Sequence, residues 1–148
     1  MHSIFDVAKY ILNKKGSMTT MKLQKLCYYA QAWSLAWDGK PLFKEDFQAW
    51  ANGPVCQEVF SAHRGRFELP EDFFDTRGNT DVFDVDEIET LDVVLDSYGD
   101  KGSQWLSELT HQEAPWRLAR AGVAPGERCN TVIEKEDMQE YYGGLNEF

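Results

Sequence analysis

The segment from residue 21 to residue 37 constrains the fold most, because these 17 residues contain neither Gly nor Pro. Thr19 and Thr20 precede the segment and are suited to cap the N-terminus of a helix. A surface helix carries one apolar stripe, whereas this segment carries two adjacent ones, so we predict a largely buried central helix with a narrow polar arc. The stripes consist of Leu23, Cys27, Ala30, Ser34 and Trp37, and of Leu26, Tyr29, Trp33 and Ala36; the arc consists of Gln24, Lys25, Tyr28 and Gln31.

The remaining sequence predicts further helices. Apolar residues recur at helical spacing from residue 4 to residue 12, and this first helix should end near Gly16. Asp84 and Glu87 have the spacing of a capping box and open a helix that should end at Gly99. Shorter helices are expected at residues 45–51, from Pro54 to about residue 63, at 116–121 and at 134–142. Another should begin at Ser103 and turn Trp105, Leu106 and Leu109 toward the core.

Helical periodicity fails between residues 67 and 83, where Pro70, Gly78 and Asn79 indicate a loop. At most a small β-hairpin is expected in this middle loop, around residues 77–79. Residues 110–116 are expected to be irregular. No repeat or low-complexity linker divides the chain. The fold class predicted is mainly α, a single compact helical domain spanning residues 1–148 around the central helix.

The distribution of charge is uneven along the chain. Residues 1–66 contain 9 Lys and Arg against 5 Asp and Glu, whereas residues 67–148 contain 6 against 20. Residues 68–100 alone carry 12 acidic residues and one base, Arg77. Such a field repels phosphate backbones, so nucleic acid is an unfavourable partner and a basic protein surface is a better one. Acidic runs also occur as plain solvated surface, and that alternative stays open.

Neither a secretory signal nor a membrane-spanning run is visible in the sequence, which favours the cytoplasm. Cys27, Cys56 and Cys129 are odd in number and widely spaced, so we expect reduced, buried thiols. We expect that the fold requires no metal and no cofactor.

Two patterns could be read as catalytic. His111 and Glu113 match the first half of the zinc deaminase signature, but the P-C-x-x-C half is missing. Cys56 and His63 could share a helix face as a nucleophile pair or half a metal site, although a structural histidine is the more economical interpretation. We therefore predict that the protein is not an enzyme, with a metal-dependent enzyme using His111 and Glu113 as the least favoured alternative.

Three segments, called the signature segments below, together resemble the Panacea domain of SocA- and GepA-like antitoxins. They read MKLQKLCYYAQAW at residues 21–33, AWANGPV at 49–55 and THQEAPW at 110–116. The likeness runs from about residue 5 to residue 142 and is poorest in the acidic middle loop. The signature residues that the resemblance marks are Lys22, Leu23, Lys25, Leu26, Tyr28, Tyr29, Trp33, Gly53, Pro54, His111, Pro115 and Trp116.

The resemblance implies a helical antitoxin from bacteria, phages or prophages that neutralises a cognate protein toxin by direct contact. Some members of the family are thought to act as proteolytic adaptors that deliver the toxin to an unfoldase-protease, which gives an alternative function. Because the family pairs with unrelated toxins, we expect a fixed helical core and a variable toxin-binding surface. The toxin-binding residues proposed from the acidic loop are Glu71, Asp72 and Asp75.

The signature residues allow two interpretations. In one, Lys22, Lys25, His111 and Trp116 converge on one surface and form a common site for an unnamed ligand. In the other, His111 and Trp116 close the core over the central helix.

Overall fold

The computed structural model describes residues 1–145. The chain folds into seven α-helices, one 3-10 turn and two short antiparallel strand pairs within this range, which confirms the mainly α fold class. The elements are α1 Ile4–Lys15, β1 Met18–Thr19, α2 Thr20–Asp38, β2 Gln48–Trp50, β3 Gly53–Val55, α3 Gln57–His63, β4 Glu68–Leu69, the 3-10 turn Thr80–Val82, α4 Val85–Tyr98, α5 Ser103–Gln112, α6 Ala114–Ala119 and α7 Lys135–Gly143.

Helix α2 is the central helix, as predicted. Thr19 caps it by accepting a hydrogen bond from the Lys22 backbone N–H, and Gly39 ends it in a left-handed conformation. Helices α1, α4, α5 and α7 and strand β3 all pack against it. Its residues from Leu23 to Leu35 are all buried, so the core of the protein is built along its length.

The four residues of the predicted polar arc of α2 are buried and do not face solvent. Gln24 and Lys25 are 0% exposed, and Gln31 is 1% exposed. The Gln31 amide explains how burial is possible, because it accepts from the Leu42 N–H at 2.7 Å and donates to the Phe43 carbonyl at 2.9 Å. Loop backbone therefore covers this part of the helix and satisfies the amide of Gln31.

The prediction of a helix at residues 45–51 is wrong, because residues 48–50 form β2 and pair with β3. Pro54 lies in β3 opposite Ala49 and does not begin a helix; α3 begins at Gln57. Non-local pairing explains the difference. The Ala49 N–H donates to the Thr131 carbonyl at 2.9 Å, so a distant extended segment completes this sheet edge.

At most a small hairpin was predicted around residues 77–79, and among the described residues no strand lies there. Residues 71–77 form turns, and the described hairpin is the one at residues 48–55. In the described middle segment only β4 forms a paired strand, and it pairs with β1. The segment expected to be irregular at 110–116 is mostly helical, because α5 continues to Gln112 and α6 begins at Ala114.

Two aromatic side chains expected to be inside are exposed. Trp37 is 44% exposed and Trp105 is 45% exposed, whereas Leu106 is fully buried as predicted. No helix within residues 1–145 has the length and apolar character needed to cross a bilayer.

Candidate functional site

The three signature segments meet at one place in the fold. The first lies on α2, the second forms the β2–β3 hairpin, and the third spans the junction of α5 and α6. The hairpin is held between the helices by Trp116, whose indole Nε1 donates to the Trp50 carbonyl at 2.8 Å, and by Ser107, whose hydroxyl donates to the Asn52 carbonyl. The candidate site is this junction.

Gly53 lies directly against the side chain of Lys25. A Cβ atom at residue 53 would lie 2.5 Å from Lys25 Cε and 2.9 Å from Thr110 Oγ1. The backbone φ of Gly53 is +118°, a conformation that residues with a Cβ rarely adopt. Steric contact and backbone geometry therefore both require glycine here, so the Gly-Pro pair of the second signature segment has a packing role.

Lys25 is the most unusual group of the junction. The side chain is 0% exposed, and its Nζ makes no hydrogen bond to any residue in the part of the chain that the structure describes. Burial lowers the pKa of Lys25 from 10.5 to about 7. An unpaired buried amine is costly, so this residue destabilises the fold that surrounds it.

His111 is the second polar residue of the junction, and the charge of Lys25 acts on it. Its ring stacks on Trp116 with centroids 4.1 Å apart and planes inclined by 16°. The buried Nε2 atom makes no hydrogen bond within residues 1–145. Burial lowers the pKa of His111, and the positive charges of Lys25 and Arg120 lower it further. His111 is therefore neutral near pH 7 and is fixed against Trp116.

Glu113 belongs to a buried tyrosine network. Its Oε1 accepts hydrogen bonds from the hydroxyls of Tyr29 and Tyr142, both at 2.7 Å, and the hydroxyl oxygens of Tyr142 and Tyr28 are 3.2 Å apart. Burial raises the pKa of Glu113, and the two tyrosine hydrogen bonds oppose that effect. The carboxylate thus joins α2 to α7 across the α5–α6 junction.

Cys56 and His63 both contact Gln24, whose importance the sequence did not reveal. The Cys56 N–H donates to Gln24 Oε1 at 2.9 Å, and Gln24 Nε2 lies 3.1 Å from His63 Nε2. Burial raises the pKa of the Cys56 thiol to about 12 and lowers the pKa of His63. A protonated thiol and a neutral imidazole, linked through Gln24, favour structural roles for both residues.

The prediction of free, buried thiols is confirmed for Cys27, Cys56 and Cys129. Within residues 1–145 no group of three or more His, Cys, Asp or Glu side chains is placed to hold a metal ion. We expect that treatment of the purified protein with a chelator leaves its Tm unchanged, since no ligand set would be lost. A large drop that zinc restores would contradict this expectation.

Arg120 is a second residue that sequence reasoning missed. The buried guanidinium donates to the carbonyls of Ala49, Ala124 and Glu127 at 2.9, 3.0 and 2.7 Å. It therefore ties α6 to strand β2 and to the following loop. Its guanidinium also lies 5.0 Å from the centroid of the Trp116 ring. Hydrogen bonds from an arginine to distant backbone carbonyls have no local sequence signal.

The remaining signature residues divide into core and surface. Leu23, Leu26 and Trp33 are at most 2% exposed and belong to the core. Lys22 is partly exposed and has Lys15 and Asp100, not the histidine, as its charged neighbours. The structure thus brings Lys25, Gly53, Pro54, Thr110, His111, Pro115 and Trp116 together at the hairpin and leaves Lys22 outside.

The three acidic residues proposed to bind the toxin lie outside this junction. Glu71, Asp72 and Asp75 are exposed, and Asp75 Oδ1 accepts a hydrogen bond from Asn13 Nδ2 at 3.0 Å. Helix α1 contacts the acidic segment 68–100: Lys14 and Lys15 form ion pairs with Asp92 and Asp100, and the Tyr10 hydroxyl donates a hydrogen bond to Asp92. His2, just before the helix, contacts Glu87. Part of the charge asymmetry is therefore balanced within the molecule.

Residues 23–117 match the family model described as "Antitoxin SocA-like, Panacea domain". The matched range exceeds half of the 148-residue chain. It contains the second and third signature segments completely and all but the first two residues of the first. No curated protein and no solved structure matched the chain in the corresponding comparisons.

Proposed function

Because the chain belongs to the family of SocA-like antitoxins with a Panacea domain, we propose that it is the antitoxin of a type II toxin–antitoxin system. In this proposal it binds a cognate protein toxin directly, in the cytoplasm of a bacterium or as a phage or prophage product. Family membership is the observation that carries the proposal. Inhibition by binding requires an interface of about 800 Å² or more on each partner.

The geometry of the junction supports an inhibitor that acts without catalysis. His111 is stacked on Trp116, and the Glu113 carboxylate is occupied by two tyrosine hydroxyls. Groups engaged in this way hold helices together and are poorly placed to exchange protons with a substrate. Since the signature serves packing, the toxin-binding residues are expected elsewhere on the surface.

Co-expression with the neighbouring reading frame tests the proposal directly. Expression of that frame alone should arrest growth, and co-expression of this chain should restore it. The two products should then co-purify as a stoichiometric complex. Normal growth with the neighbouring frame alone, or arrest that this chain does not relieve, would refute the proposal.

The adaptor alternative is separated from simple inhibition by the fate of the toxin. If the chain inhibits by occupation, the toxin persists at a constant level in the complex after protein synthesis is stopped. If it delivers the toxin to an unfoldase-protease, the toxin disappears, and a protease-deficient strain restores toxicity or toxin level. This experiment needs only antibodies or tags on both proteins.

The acidic loop gives a prediction about binding kinetics. Changing Glu71→Gln, Asp72→Asn and Asp75→Asn together should slow association with a basic toxin at low salt and have little effect near 1 M salt, where the Debye length is about 3 Å. Stopped-flow or surface-based kinetics measure this effect. The Tm should change little because these side chains are exposed.

A matched control removes the same charge from another surface. Glu127, Glu136 and Glu140 are exposed and lie in the loop before α7 and on α7 itself. Changing all three to Gln should alter association less than the loop variant does. Equal effects of the two triple variants would mean that only net charge matters, and no effect of the loop variant would mean that the acidic loop is solvated surface.

A further inference from the structure

A concave surface beside the β2–β3 hairpin is lined by basic, aromatic and amide side chains, and it lies outside the acidic loop that is proposed to bind the toxin. A cavity of about 790 Å³ lies between the hairpin, α3 and the loop at residues 126–130. This volume is within the range of about 300 to 1,000 Å³ that is usual for small-molecule sites. Its lining includes two arginines and no Asp or Glu, although the chain carries 25 acidic and 15 basic residues.

The two arginines present positive charge to this cavity. Arg64 and Arg128 are exposed, and neither forms an ion pair with any residue in the range 1–145. By contrast, the guanidinium of Arg66 lies over Phe73 and that of Arg77 over Phe5. A pair of guanidinium groups without a carboxylate partner is suited to bind a phosphate group.

An indole ring and side-chain amides also line the cavity. The indole of Trp50 is fixed by a 2.8 Å hydrogen bond from its Nε1 to Gln48 Oε1 and by edge contact with Phe60 at a centroid distance of 4.9 Å. The side-chain amides of Asn52, Gln57 and Asn130 line the cavity as well. A fixed indole can stack on a planar base, and free amides can pair with the edge of that base.

We propose that this cavity binds a nucleoside phosphate, with the phosphates held by Arg64 and Arg128 and the base held against Trp50. An inorganic anion would use the arginines alone, and an apolar ligand would not need them. A nucleoside phosphate uses the arginines, the indole and the amides together. The proposal is independent of the toxin, so it can fail while the antitoxin function stands.

The experiment is calorimetric titration of the full chain with ATP and GTP, alongside adenosine and pyrophosphate. At least one nucleotide should bind more tightly than adenosine and more tightly than pyrophosphate. The double variant Arg64→Gln, Arg128→Gln should weaken nucleotide binding by at least about tenfold, since one charged hydrogen bond is sufficient for that factor. Trp50→Leu should weaken nucleotide binding and leave the weak binding of pyrophosphate unchanged.

The matched control is the double variant Arg66→Gln, Arg117→Gln, which removes the same charge from exposed positions outside the cavity. It should leave the affinity within about twofold of the original value. Circular dichroism of each variant verifies the fold. Absence of binding by both nucleotides at millimolar concentration, a pyrophosphate affinity equal to that of the tighter-binding nucleotide, or an equal loss in the control would each overturn the proposal.

Discussion

Replacement of Trp33 by Ala is expected to destabilise the fold by about 3 to 5 kcal/mol, the usual effect of removing a large buried aromatic side chain. The side chain is 2% exposed, and its Nε1 donates to the Tyr98 hydroxyl at 3.0 Å. Its ring packs against Trp37 and Tyr142 with centroids 4.9 and 5.5 Å apart. The substitution therefore leaves a cavity where α2, α4 and α7 meet, and it removes one hydrogen bond to the Tyr98 hydroxyl. Denaturant unfolding measures the loss.

Trp105→Ala is the matched control for Trp33→Ala. Trp105 is 45% exposed and contacts Lys101 through a cation–π interaction at 4.9 Å. Its removal should lower stability by about 1 kcal/mol or less. If Trp33→Ala stays as stable as the original chain and loses only toxin protection, Trp33 is an interface residue and its assignment to the core is wrong.

The features that the sequence predicted well are local ones. Thr19 caps α2 and the Asp84–Glu87 capping box opens α4, as their spacing indicated. Gly16 and Gly99 are the C-caps of α1 and α4, as was also predicted. Capping depends on residues within one helical turn, so a short stretch of sequence contains all the information that it needs.

The features that the sequence did not predict depend on distant partners. Phe47 and Trp50 have a spacing that suits a helix, but pairing of residues 48–50 with 53–55 and with the segment at 131–133 makes this region extended. Gln24 and Gln31 are polar, yet backbone groups at Cys56, Leu42 and Phe43 satisfy them inside the core. A polar side chain is normally predicted to be exposed. The sequence does not show that these backbone groups lie next to the two glutamines, so their burial could not be predicted.

The candidate site was predicted in part. The signature segments were expected to meet, and Lys25, His111 and Trp116 do lie at one junction. One of the two interpretations placed Lys22 beside Lys25 in a common site, but Lys22 is partly exposed while Lys25 is fully buried. The difference arises because the β2–β3 hairpin and α5 cover Lys25, and contact between them depends on the tertiary fold.

Lys25→Met is expected to stabilise the protein, by about 2 to 4 kcal/mol near pH 7. The substitution keeps an unbranched side chain of similar length against Gly53, and it removes an amine that makes no hydrogen bond to the described residues. Replacement of an unpaired buried charge by an apolar group of similar shape is generally favourable. Lys22→Met is the control, and its effect should be small because that side chain is partly exposed.

The stabilisation by Lys25→Met should depend on pH in a defined direction. The unfolded lysine keeps its proton up to about 10.5, whereas the folded one loses it at about 7. Between these values the unfolded state binds one more proton, so the stability of the original chain rises with pH by about 1.4 kcal/mol per unit. Lys25→Met has no ionisable group at this position, so its stability does not rise in this way. The stability difference between the variant and the original chain should therefore shrink from pH 7 to pH 9. His63 and His111, on which the charge of Lys25 acts, are neutral throughout this interval because the pKa of each is lowered.

Toxin neutralisation by the stabilised variant then decides what the buried amine does. If Lys25 serves only packing, Lys25→Met should protect cells as well as the original chain, because its fold is intact and its exposed surfaces are unchanged. If the more stable variant fails to protect, the amine has a role in binding that offsets its effect on stability, and the junction opens or rearranges in the complex. Lower stability of Lys25→Met, or a stability difference that does not change between pH 7 and pH 9, would contradict the assignment of Lys25 as an unpaired buried amine.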